Sequence, residues 1–135
     1  MSAIRPNKEQ FIELMNAPDE GPVTMLNLLK FKEKADGDTG ASGAAEYNKY
    51  GDAVVQMVEA RGGKVIWMGR ADQMLIGDPA EGWDSVALVR YPSRKDFIEM
   101  VTSPEYEGAH EHREGGLERT VLIACTERFS RLGEE

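Results

Sequence analysis

The stretch Pro22-Val23-Thr24-Met25-Leu26-Asn27-Leu28-Leu29-Lys30-Phe31-Lys32 limits what this chain can become more than any other. Side chains of a β-strand alternate between the two faces of its sheet. Here apolar residues occupy both alternating sets, which suits a strand whose sheet is covered on both sides. One neutral amide, Asn27, interrupts the middle of the run. Buried without partners, an amide costs about 1–3 kcal/mol. Asn27 is therefore either a satisfied structural amide or a polar group held for a ligand.

Upstream, Asn7-Lys8-Glu9-Gln10 pairs a helix cap with an amide three residues on, and Phe11, Leu14 and Met15 fall on one face before Pro18 stops the element. A turn leads into a strand from Val23 to Phe31. Asp36 to Gly43 is rich in glycine and nearly free of apolar residues, the composition of a mobile loop. Asp36 and Asp38 begin like a calcium loop, but the later oxygen ligands and the closing glutamate are missing. A helical period runs from about Ala44 to Arg61 and closes at Gly62-Gly63. A second strand is expected over Lys64 to Arg70, extending through Met74-Leu75-Ile76, with Gly69 marking a bulge or a close approach. A third strand runs from Trp83 to Tyr91 and stops at Pro92. Ser93 and Ser103-Pro104 open two successive helical segments, the second closing at Gly115-Gly116. A fourth strand spans about Arg119 to Thr126.

The order strand, helix, strand, strand, helix, strand is the split βαβ, or ferredoxin-like, arrangement. It is an α+β fold with an antiparallel sheet, here with an extra N-terminal helix. One domain is expected over residues 1–135, with its core at about 22–127. Helices of this fold cover one sheet face. The second apolar face needs its own cover, and a partner subunit's sheet is the simplest, so a homodimer joined through sheet faces is expected.

The net charge of −8 argues against a nucleic-acid or anionic-membrane partner, since both need a basic face. No apolar run approaches the roughly 20 residues of a membrane span. The single cysteine, Cys125, lies in the run Val121-Leu122-Ile123-Ala124-Cys125 and is expected to be a buried, inert thiol. A lone cysteine and the lack of a signal-peptide pattern fit a reducing, cytoplasmic setting.

Several pieces combine into a recognisable pattern. They are the run Met25 to Phe31, the Gly62-Gly63 turn into a Trp-bearing strand, Trp83-Asp84 at the third strand, and Tyr106, His110 and Arg113 before the last strand. Together they resemble the domain-of-unknown-function family thirteen-thirty over about Pro22 to Thr126. The resemblance implies membership of the dimeric α/β-barrel superfamily, with a ferredoxin-like protomer whose sheet packs against its twin's. That family has no settled biochemical activity.

Tyr106, His110 and Arg113 share one helix face at spacings of four and three. His112 points elsewhere, so the two histidines do not make the i, i+4 pair of a helical zinc site, and no metal is expected. Two readings of this face are open. In one, the polar groups only satisfy one another, His110 on a backbone carbonyl and Arg113 on a carboxylate such as Asp84. In the other, His110 and Arg113 face a pocket between helix and sheet, where Asn27 also points. His110 would then carry a proton, because imidazole titrates near neutrality. Asn27 would hydrogen-bond a developing oxyanion, and Arg113 would hold a small anionic substrate. Tyr47 and Tyr50, on the inner helical face, would bring hydroxyls to the pocket edge, and Tyr50 and Tyr106 are candidate substrate contacts. Trp67 and Asp84 are the remaining candidates for its wall, Trp67 and Trp83 being otherwise core residues.

No phosphate-binding glycine fingerprint or nucleophile elbow is present, so the chemistry expected of an enzyme here is cofactor-independent acid/base or oxygen chemistry. The run Ser103 to His112 also resembles the His-bearing helix of the haem-degrading monooxygenases of the same superfamily. Asn27 and His110 match their Asn and their haem-ligating His, while Met100 stands where they carry a tryptophan. That resemblance implies haem binding as an alternative. A non-catalytic ligand-binding or interaction protein is the third possibility.

Overall fold

The computed structural model describes residues 4–18, 21–37 and 40–132. The Asn7 side chain accepts from the Gln10 backbone N–H (2.8 Å), and the Gln10 side chain accepts in return from the Asn7 N–H (3.1 Å). This complete capping box starts α1 (Lys8–Asn16). There follow β1 (Val23–Phe31), α2 (Gly43–Ala60), β2 (Lys64–Arg70), β3 (Ser85–Tyr91), α3 (Arg94–Val101), α4 (Pro104–Gly116) and β4 (Leu117–Cys125). Ser42, Ser93 and Ser103 cap α2, α3 and α4 through their side-chain oxygens. The four strands form one antiparallel sheet in the order β2-β3-β1-β4. This is the ferredoxin-like α+β topology read from the sequence, with α1 as the added element.

Val23 and Met25 of β1 point to one face, where they pack with Tyr91, Val58 of α2, Met100 of α3, and Tyr106 and Ala109 of α4. The helices therefore cover this inner face. Helices α2 and α4 approach closely where Gly43 meets Gly116. A side chain at Gly43 would strike the Lys32 backbone and the Gly116 carbonyl, and one at Gly116 would strike the Gly43 carbonyl. The Lys32 N–H donates to the Gly116 carbonyl (2.8 Å) and the Asp36 N–H to that of Gly115 (3.0 Å). These contacts fix the end of α4 against the chain leaving β1.

Residues directly opposite each other in an antiparallel ladder share a face. On the outer face Trp67, Leu88, Leu26 and Ile123 form a row across all four strands, and Val86, Leu28 and Val121 form the next. Trp67 and Ile123 are 46% and 47% exposed.

Several boundaries differ from the sequence reading. Strand β2 ends at Arg70, whose partner Ser85 is the first residue of β3, so the ladder has nothing further to pair with. Leu75 and Ile76 stand in the connecting loop, 84% and 90% exposed. The bulge in β2 lies between Val65 and Trp67, not at Gly69. Gly69 is instead a close approach, since a Cβ there would overlap the Trp67 indole. Strand β3 starts at Ser85 rather than Trp83, and β4 starts at Leu117, directly after α4. Cys125 is part-exposed at the outer face opposite Thr24, not a buried thiol. Of the glycine-rich loop, Asp38 and Thr39 lie outside the described residues, and its flanks are joined by the Ala35 N–H donating to the Ala41 carbonyl (3.0 Å). Among the described residues no helix is long and apolar enough to cross a membrane.

Candidate functional site

A cavity of about 900 Å³ lies between the inner sheet face and a wall made by all four helices and the segment preceding α1. Its floor includes the row Met68, Ala87, Asn27 and Leu122. Ala87 is small, which leaves room beside Asn27. Leu122 stays 43% exposed although it shares the helix-covered face. Ile4, Arg5 and Pro6 also line it, as a strap from the N-terminal segment.

Helix α4 supplies the polar wall. Tyr106, His110 and Arg113 are only 8%, 5% and 6% exposed, so the face predicted from their spacing does turn inward. Tyr106 shares a hydrogen bond with Tyr50 of α2 (Oη–Oη 3.0 Å), with the rings edge to face at 5.9 Å. Burial pushes the Tyr50 hydroxyl well above its ordinary pKa and that of Tyr47 up to about 12. Both phenols are therefore neutral donors or acceptors at physiological pH.

His110 packs against Tyr106, ring centres 5.5 Å apart. Its Nε2 lies 2.9 Å from Oε1 of Glu114, one turn further along α4, although the N–H direction misses a well-formed hydrogen bond. Its Nδ1 is buried and has no partner. The backbone carbonyl expected as its partner is not there. Burial, then the charges of Arg5 and Arg113, hold the imidazole below its ordinary pKa, against the opposing pull of Glu114 and Glu107. The ring is therefore neutral near pH 7.

Asn27 directs Nδ2 at the carbonyls of Met25 (3.3 Å) and Ala87 (3.4 Å). Its NH₂ is thus committed to backbone, and its Oδ1 has no partner among the described residues. The expected oxyanion donor is thus engaged by the sheet itself. Arg113 also differs from expectation. It donates Nη1–H to the Ile4 carbonyl (2.6 Å) and lies 6.0 Å from the Tyr50 ring centre, so it ties down the N-terminal segment instead of pairing with Asp84.

Asp84 and Trp67 do not join the site. Asp84 accepts from the Phe31 N–H (2.9 Å) and from Lys30 Nζ (3.3 Å), and its own N–H donates to the Leu29 carbonyl (2.8 Å). It pins the end of β1 against the start of β3. Trp67 lies on the outer face because the β2 bulge inserts one extra residue ahead of it.

Two participants escaped the sequence reading. Arg5 pairs with Glu114 through Nε and with Glu107 through Nη2 (3.1 Å), tying the strap to α4. Burial raises the Glu114 carboxyl, but the Arg5 hydrogen bond and the charges of Arg5 and His110 outweigh it and leave the pKa lowered. The i, i+4 spacing of His110 and Glu114 was a usable signal. Arg5 offered none, since it precedes every periodic segment.

The residues do not fit haem. His110 turns Nε2 toward a carboxylate and Nδ1 is the atom left bare. Met100, in the place of the tryptophan, is 1% exposed within the core and does not line the cavity. Among the described residues no group of three His, Cys, Asp or Glu is placed to hold a metal.

An antiparallel sheet, one helical layer and a ligand-sized cavity between them define a ferredoxin-like α+β protein with a candidate small-molecule site. The chain belongs to the family described as a domain of unknown function (DUF1330), whose model matches residues 40–126. It is similar to RPA0582, a protein of unknown function from Rhodopseudomonas palustris, at 37% identity over 96% of this chain and 100% of that one, with a TM-score of 0.89. Two more distant structures share the fold. A candidate antibiotic biosynthesis monooxygenase from Caulobacter crescentus is 17% identical over 81% of this chain and 92% of that one (TM-score 0.58). A dimeric ferredoxin-like protein of unknown function from Thermobifida fusca is 16% identical over 79% and 92% (TM-score 0.52). No protein of curated function matches the chain.

Proposed function

We propose that this chain is a cytoplasmic, homodimeric small-molecule-binding protein, each protomer holding a compact, partly apolar ligand between α4 and the sheet. The observation that carries the reading is a buried, unpartnered ring nitrogen on His110 beside a cavity of about 900 Å³. Burying a polar atom without a partner costs about 1–3 kcal/mol, and a bound ligand group is the natural way to offset that. Asn27, Tyr50 and Tyr106 supply the other polar contacts, and Arg113 holds the cavity's N-terminal strap. If the protein turns over its ligand, His110 is the group suited to accept a proton, with no cofactor required.

The dimer part of the reading rests on the outer face. Its two apolar rows are flanked by Lys64 and Arg90 at one end and Lys30 and Arg119 at the other. An apolar band rimmed by charge has the anatomy of a protein interface. The Thermobifida fusca relative is itself dimeric.

Binding tests the reading directly. Full-length protein is titrated with 4-fluorophenol, 4-fluoroanisole and 4-fluorobenzoate and followed by ¹⁹F NMR. At least one probe is expected to bind, and Leu122→Trp, which fills the cavity, is expected to abolish that binding while leaving the circular-dichroism spectrum unchanged. No binding of any probe at millimolar concentration would overturn the proposal in favour of a protein whose polar groups serve only its own packing.

A further inference from the structure

The geometry points to Glu114 as a positioning residue that keeps the His110 proton on Nε2, so that the cavity presents two bare acceptors, His110 Nδ1 and Asn27 Oδ1, and selects a neutral ligand bearing an O–H or N–H donor. This rests on the binding role proposed above and names the ligand class for that site.

A neutral imidazole carries one proton, and its neighbours decide which nitrogen holds it. Oε1 of Glu114 lies 2.9 Å from Nε2. A lone pair on Nε2 at that distance would face a carboxylate oxygen and be repelled, whereas an N–H there is attracted even when poorly aligned. Arg5 grips the same Oε1 and holds it in place. The proton is thus assigned to Nε2, and Nδ1 becomes a buried lone pair without a partner. Asn27 repeats the pattern from the sheet side, its NH₂ committed to the Met25 and Ala87 carbonyls and its oxygen left over. Both residues line the one cavity, and two acceptors there favour a molecule that donates. An anion would meet two lone pairs instead. Arg5 and Arg113 also line the cavity but are already engaged, Arg5 by Glu114 and Glu107 and Arg113 by the Ile4 carbonyl, while Met25, Val54, Val89 and Leu122 call for an apolar body behind the donor. A phenol, an enol or a small amide matches both requirements.

The same three probes decide between ligand classes, because 4-fluoroanisole carries a methyl group in place of the proton that 4-fluorophenol donates. The phenol is expected to bind about tenfold more tightly than the anisole, the worth of one buried hydrogen bond, and more tightly than the benzoate. His110→Phe is expected to erase the difference between phenol and anisole. Equal binding of those two, or preference for the benzoate, would leave the binding role standing and overturn the donor inference. No binding by any of the three would overturn both. The role of Glu114 has its own readout in the ¹⁵N spectrum of histidine-labelled protein, with His112→Asn as background to isolate His110. Wild-type protein is expected to show protonated Nε2 and bare Nδ1. Glu114→Gln keeps an acceptor carbonyl and is expected to retain that tautomer and the phenol preference. Glu114→Leu removes the acceptor and is expected to populate the Nδ1–H form and lose the preference about tenfold. A proton found on Nδ1 in the wild type, or a tautomer unmoved by Glu114→Leu, overturns the assignment of Glu114.

Discussion

The two faces of the sheet carry similar numbers of large apolar side chains and differ in what they leave unfinished. The inner face buries Val23, Met25 and Leu29 at 0–3% exposure under the helices, and its loose end is a polar atom, His110 Nδ1. The outer face leaves one such atom at its edge, Arg90 Nε beside Lys64 and Thr24, and none in its central rows. Its unfinished business is hydrocarbon, with Trp67 and Ile123 about half exposed in a row that crosses every strand. An orphaned polar atom is directional and is satisfied by a small molecule that fits the cavity. An orphaned apolar area is non-directional and is satisfied by another surface of similar extent. The two faces therefore call for different partners, the proposed ligand on one side and the proposed second copy on the other.

The strongest way to break the comparison is to charge the outer face. Leu88 stands at its centre, opposite Leu26 on one side and Trp67 on the other. Leu88→Arg would bury an unpaired charge in the proposed interface, at a cost of about 3–5 kcal/mol. Light scattering should show the mass falling from about twice 15.0 kDa to 15.0 kDa. A wild-type chain that is monomeric at micromolar concentration would sink the reading of this face.

Within the inner face, Met100→Ala tests packing rather than binding. Met100 is 1% exposed, so the substitution should cost about 2–5 kcal/mol in urea unfolding and leave the dimer intact below the transition. A loss under about 1 kcal/mol would mean that α3 packs less closely than its burial indicates.

Arg113→Met is expected to have a smaller effect, about 1–3 kcal/mol, because it leaves the Ile4 carbonyl without its buried donor. Faster proteolysis near Arg5, with little change at α2 or α4, is the signature of a released strap. Equal cleavage rates in mutant and wild type would show that Arg5, through Glu107 and Glu114, suffices to hold it.

Acidification should give the mildest effect. His110 is faced by Arg5, Arg113, Glu114 and Glu107 and is held below its ordinary pKa of 6.5. A folded state that binds the proton less readily than the unfolded chain loses stability as pH falls. The contribution is fully present above 6.5 and declines as pH drops from there through the folded-state pKa. Glu114, lowered from 4.5, adds a similar loss in a separate window below that value. Urea midpoints at pH 7.5 and 5.5 should differ less in His110→Gln than in the wild type. An identical pH slope in both would exclude His110 as its source.

Much of this was legible in the residues themselves. The bounds of β1, the caps at Asn7, Ser93 and Ser103, and the inward face of Tyr106, His110 and Arg113 follow from local chemistry and from periods of two and 3.6 residues. Those signals act within one element and survive without knowledge of its neighbours. The need for a second cover on the sheet was equally readable, because Leu26 and Leu28 are apolar on the parity that the helices leave bare.

Only the tertiary structure decided the rest, because it depends on register and on contacts between distant residues. Counted from Val65, Trp67 belongs to the inner set, and the single extra residue of the β2 bulge moves it to the outer face. Asp84 looked like a partner for Arg113 until β3 brought it against the N–H of Phe31. Arg5 and Glu114 lie 109 residues apart in sequence and meet only once the N-terminal segment crosses α4. Asn27 was visible from the outset as a lone amide in an apolar strand. Its NH₂ was committed by two carbonyls, one of them 60 residues away, which no local pattern could foretell.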